Sequence, residues 1–171
     1  MSFFHAKPGG IVVARFDVAE LALLAQLSTQ LTELLIEQSD EDPALRRLLP
    51  DAYPDDPEAS AEFRRFTADG LVELKLANAS ALLASIGAAA ASGTASGPAT
   101  LRLDPPTVQA WLRSLGDLRL TIAVRIGIGI GIGIEQDGDE GTPGDPLADL
   151  YDWLGYLQGS LVDALDALDA P

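Results

Sequence analysis

Arg119 stands inside an apolar helical stripe, and that placement is the strongest chemical signal in the chain. At helical spacing Val108, Trp111, Leu115, Leu118, Ile122 and Ile126 share one face, and Arg119 falls four residues after Leu115 and three before Ile122. Leu120 and Val124 lie on another face, beside Asp117. A helix apolar on several faces is expected to be central in its domain. The same stretch, residues 111–128, also carries Arg113, Asp117 and Arg125. A guanidinium on such a helix needs a carboxylate or several carbonyls, because a desolvated unpaired charge is strongly disfavoured. The residue types suit either a specific polar site or a structural ion-pair network. For Arg119 the expected acidic partner is Asp152, on a different helix, ahead of Asp117, which points away on the same helix.

Other chemistry is sparse. His5 is the single histidine, with no zinc or catalytic triad pattern around it. The carboxylates Asp51, Asp55, Asp56 and Glu58 lack calcium-loop spacing and are stiffened by Pro54 and Pro57, so a solvated acidic loop is the expectation there and at Asp137, Asp139 and Glu140. GIGIGIGI, at 127–134, lacks the lysine of a phosphate loop. Arg46-Arg47 and Arg64-Arg65 are the adjacent basic pairs, suited to an anion clamp or to neutralising the acidic loop between them. The chain has no cysteine, which excludes a thiol nucleophile, a disulfide switch and cysteine metal ligation within it. Neither a metal nor a cofactor is expected.

The formal net charge is −15, unevenly spread. All 11 Lys and Arg lie at or before Arg125; against 16 carboxylates they leave −5 there, and 10 carboxylates without a cation follow. Such a field repels DNA and anionic lipid, so direct DNA binding is not expected, and it attracts a basic protein partner. The start lacks the long apolar core of a signal peptide, and no uninterrupted apolar run reaches spanning length, so a cytoplasmic location without membrane contact is expected.

The elements that must position these residues can be read in order. Ile11–Phe16 reads as a strand after the Gly9-Gly10 turn signal. Asp17 with Glu20 forms a capping box for a helix reaching about Gln38, with Leu21, Leu24, Leu27, Leu31 and Leu34 inward. Ala44 to Leu49 can make a short helical turn. A second long helix begins at Pro57 behind Asp56 and is expected to end by about Gly87, with Phe63, Phe66, Gly70, Leu74, Ala77 and Ala81 as its stripe. Ala99–Leu103 reads as a second strand, pairing with the first. Asp104 and two prolines open the central helix, and Asp145 with Pro146 opens a last one whose stripe runs from Leu147 to Leu168. GIGIGIGI is taken as an extended segment against the core. The expectation is a single domain over 1–171, mainly α (α+β). It is a compact bundle of about four long helices with one small two-stranded β ribbon, flexible at 1–9, 90–98 and 135–144.

Four pieces carry a family resemblance: LRRLLPDAYPDD from Leu45, EFRRFT from Glu62, WLRSLGDLRLTIAVRIGI from Trp111 and LYDWLGYLQGSLVDAL from Leu150. With them the sequence resembles the actinobacterial family once listed as a domain of unknown function and now named for the oxidative-stress regulator AosR. The resemblance implies a small cytoplasmic protein in redox-dependent transcriptional control, with a sigma factor as partner. It departs at one point: the family's redox sensing is attributed to a cysteine pair near the start, and MSFFHAKPGG has none. The polar positions that carry over are Arg64, Arg65, Asp117, Arg119, Arg125, Tyr151 and Asp152, a network joining three helices. Two readings follow. One is a non-enzymatic regulator that binds a protein partner, with a homodimer compatible. The alternative is a small-anion binder or enzyme whose pocket gathers arginine, aspartate and tyrosine.

Overall fold

In the computed structural model the described residues are 3–39, 41–50, 55–93, 97–127 and 145–169. In chain order they form β1 (His5–Lys7), β2 (Ile11–Phe16), α1 (Val18–Glu37), α2 (Pro43–Leu48), α3 (Pro57–Ser92), β3 (Ala99–Leu103), α4 (Pro105–Arg125) and α5 (Pro146–Asp169). The mainly α reading with a small β component holds, and α1, α3, α4 and α5 are its long helices.

Helix starts follow their caps. The Glu20 carboxylate accepts from the Asp17 N–H at 2.8 Å, Asp56 accepts from Glu58 and Ala59, and Asp104 accepts from Thr107 at 3.0 Å. Proline stands at the first turn of α2, α3 and α4, where its missing N–H costs nothing. Helix α4 stops at Arg125; Ile126 is the cap, and Gly127 follows at φ +76°. The helix expected through 128 therefore ends short of it, at Arg125; residues 128–134 of GIGIGIGI and the segment 135–144 lie outside the described residues.

The sheet has three strands, not two, in the antiparallel order β1-β2-β3. The extra strand falls within 1–9, which the sequence suggested was flexible. Gly9 and Gly10 both adopt positive φ and let the chain reverse between β1 and β2. The segment is tied down by what precedes it. Phe4 is buried, its ring meeting Phe16 and Trp111 edge-on, and the Phe3 and Phe4 N–H groups both donate to Ser160 Oγ on α5.

A single hydrophobic cluster joins the inner sheet face, through Val12, Ala14, Phe16, Leu101 and Leu103, to α1, α3, α4 and α5. The α4 stripe is placed as its spacing predicts: Val108, Trp111, Leu115, Leu118 and Ile122 are buried. The α3 stripe is not. Phe63, Leu74 and Ala77 are exposed, and the buried face is Val72, Ala79, Leu82, Ile86 and Ala89. Small and apolar residues recur on both sides of this helix, so periodicity alone does not choose its inward face. For the same reason α3 continues past Gly87 to Ser92. Counting past its three charges, Asp69–Ser92 is also long and apolar enough to cross a membrane by length and composition alone, a test that the core helix of a globular domain passes too.

Candidate functional site

Helix α4 carries the charges Asp117, Arg119 and Arg125 singled out above, and meets α3 on one side and α5 on another. Asp117 is almost fully buried and faces α3, where Lys75 Nζ reaches its Oδ1 at 2.6 Å. Lys75 sits in the register Val72, Lys75, Ala79, Leu82, and is itself mostly covered. A desolvated carboxylate is thus neutralised by a cation across that seam.

Arg119 turns to α5 and meets no carboxylate among the described residues. Its Nη1 donates to Gln158 Oε1 at 2.9 Å, and its Cζ lies 4.4 Å from the centroid of the Tyr151 ring. A cation over an aromatic face gains electrostatically, and more when shielded from water. Its Nε is buried without a hydrogen-bond partner. Gly155 allows the close approach, since a Cβ there would stand 3.2 Å from Cζ and Nη2. The expected Arg119–Asp152 pair is therefore not formed. On α5, Tyr151, Gly155 and Gln158 share a face at helical spacing, while Asp152 is one position round and exposed.

Arg125, in the last turn of α4, reaches back to α2: its Nη2 donates to Asp42 Oδ2 at 2.8 Å. That bond is the main reason the Asp42 carboxyl is held below the usual aspartate range; burial opposes it, and the Ala44 N–H adds to it. The Asp104 carboxyl is held down by its bonds to Thr107.

The seven positions singled out in the sequence therefore do not converge. Asp117, Arg119 and Arg125 point to α3, α5 and α2 respectively, Tyr151 joins Arg119, and Asp152 stands apart. The side chains of Arg64 and Arg65 lie outside the described residues. Sequence reasoning missed Lys75, Gln158, Gly155 and Asp42. Lys75 was findable once the phase of α3 is set by Leu82 and Ile86; a neutral partner for Arg119 has no sequence signal. Among the described residues no three His, Cys, Asp or Glu side chains gather as a metal site. An apolar groove of about 180 Å³ runs between α1, α4 and α5 past Leu31, Leu34, Ile122, Arg125 and Leu150, but holds no second polar group of the network.

Comparison with known proteins agrees with the resemblance. The chain is 33% identical over 147 residues to a Mycobacterium leprae (strain TN) protein named "Putative oxidative stress regulator AosR", covering 76% of this chain and 61% of that protein. It thus spans about three fifths of that relative's length. No solved structure matches. Residues 1–165 match the family DUF2017, described as a domain of unknown function, and the chain belongs to it.

Proposed function

We propose that this chain is a non-enzymatic regulatory protein that acts by binding another protein, in transcriptional or oxidative-stress control. The observation that carries the reading is the dispersal of the charges Asp117, Arg119 and Arg125 of α4. Asp117 and Arg125 are spent on ion pairs in different directions, and Arg119 on an amide and a ring, so these three, among the described residues, are not aimed at a shared space. The name of the mycobacterial relative supports the regulatory class. A sigma factor is the partner that the family resemblance implies, and the cytoplasm is where such a partner is met. The alternative, a small-anion binder or enzyme, requires Arg119, Arg125 and Tyr151 to face one pocket. Arg125 engages Asp42 instead.

The test is affinity purification of the tagged chain from its native cells, followed by reconstitution with the purified candidate partner. A saturable one-to-one complex with a transcription or proteolysis component is the expected result. Turnover of a metabolite pool by the purified chain, without any such complex, would overturn it. The same preparation should not bind duplex DNA at low salt, where electrostatic attraction is strongest. Because the chain has no cysteine, diamide treatment of this protein alone should leave partner affinity unchanged; a change would overturn the absence of redox sensing within it.

A further inference from the structure

The outward face of the sheet departs from the rest of this acidic protein. Residues directly opposite in an antiparallel sheet point the same way, and each strand alternates between faces. The register sets His5, Val13 and Arg102 in one row, Lys7 beside Ile11, and Arg15 beside Thr100. Val12, Ala14, Phe16, Ala99, Leu101 and Leu103 point the other way and are buried. His5, Lys7, Arg15, Thr100 and Arg102 are exposed, with Ile11 and Val13 half-buried between them. Three full cations and the single histidine therefore share one face, and none of its positions on the three strands is a carboxylate. Among the described residues no ion pair engages Lys7, Arg15 or Arg102.

The face continues into a shallow groove of about 430 Å³ between β3 and α3, lined by Ile11, Arg102, Ala81 and Ala84. Asp104 closes one end, its carboxylate already turned to the Thr107 N–H as the cap of α4. From Leu76 to Leu101 the chain has no charged residue, so the α3 wall adds no repulsion for an anion.

We propose that this basic sheet face is the docking surface for an acidic segment of a partner protein. Charge complementarity selects the occupant. In a chain of net charge −15, a concentration of cations on one face can offset the long-range repulsion of an anion only at short range. Arg15 and Arg102 are diagonal neighbours on β2 and β3, roughly 7–8 Å apart and close to the roughly 7 Å repeat of carboxylates at alternate residues of an extended chain, while Lys7 stands beyond them on the far strand, one row from Arg102. Nucleic acid fits less well: apart from His5 the face offers no aromatic ring for base stacking, and the whole-molecule field opposes a polyanion. The inference rests on the regulatory reading above and gives that partner a surface.

The experiment uses a fluorescent octapeptide of alternating glutamate and threonine, with the glutamine–threonine peptide as its neutral control. Anisotropy of the full chain should show saturable binding of the acidic peptide that weakens as salt rises, and none of the neutral one. The triple variant Lys7→Gln/Arg15→Gln/Arg102→Gln, all at exposed positions, should keep its circular dichroism and bind at least about tenfold more weakly. Arg113→Gln, an exposed charge on α4 outside the face, should bind as the parent does. Equal binding of both peptides, or of the triple variant and its parent, would overturn the proposal. So would tighter binding of a duplex DNA that the peptide does not displace. A parent dimer that the triple variant fails to form would assign the face to a second copy and overturn it likewise. Because the probe is a synthetic peptide, its outcome does not depend on which cellular process the partner serves; failure of the native partner search would sink the regulatory reading and leave this result standing.

Discussion

At the seam between α3 and α4, Asp117 is sealed against Lys75; at the seam between α4 and α5, only two residues further along, Arg119 rests on Gln158 and Tyr151. The two charges differ in how much water they keep. Asp117 is 9% exposed, and a carboxylate so enclosed needs an opposite charge. Arg119 is half-buried, and a guanidinium is delocalised and weakly hydrated, so a ring face and one amide oxygen suffice. Neutralisation is demanded by burial, not by the presence of a charge on a core helix.

The largest effect should come from breaking the sealed side. Lys75→Met leaves Asp117 enclosed without its cation and should cost about 3 kcal/mol in denaturant unfolding. A loss below about 1 kcal/mol would mean that water reaches Asp117 and that the two seams do not differ as argued.

Arg119→Ala should cost less, about 1–2 kcal/mol, because it removes a ring contact, a hydrogen bond and stem packing but strands no carboxylate. A loss of 3 kcal/mol or more would show an acidic partner at Arg119. A double-mutant cycle with Tyr151→Leu should return a coupling of about 0.5–1 kcal/mol, the range for a partly exposed cation over a ring.

Arg125 marks the exposed limit of the same comparison. Its side chain is 45% exposed, so Arg125→Gln should change stability by no more than about 0.5 kcal/mol, and high salt should erase even that. The pair is better seen by pH. The folded-state carboxyls of Asp42 and Asp104 both lie below their unfolded values. Their contributions are therefore complete above about pH 4 and are lost as pH falls through the depressed folded values. Arg125→Gln should reduce the acid-induced loss carried by Asp42 and leave that of Asp104 unchanged. Following the two carboxyl signals by NMR during an acid titration checks both; an Asp42 midpoint that does not rise in Arg125→Gln would remove Arg125 as its cause.

Much of the frame was determined by local sequence. Asp17 with Glu20, Asp56 with Pro57, Asp104 with Pro105 and Asp145 with Pro146 mark helix starts because side-chain oxygens and a missing N–H satisfy the free donors of a first turn. Strands β2 and β3 and the α4 stripe followed from period alone. Tertiary structure decided the rest. Helix α3 carries apolar residues on two sides, so only its packing on α1, α4 and β3 selected the face that brings Lys75 to Asp117. Strand β1 is too short to read in isolation and forms because Phe3 and Phe4 anchor it to the core and to Ser160. Whether Arg119 met Asp152 or Gln158 turned on about 100° of rotation per residue around α5, a phase set by which leucines of that helix are buried. The basic sheet face was not legible in the chain because it needs β1, the strand the sequence did not reveal, and the pairing register, and a net charge has no direction; strand register is what put Lys7, Arg15 and Arg102 on one face.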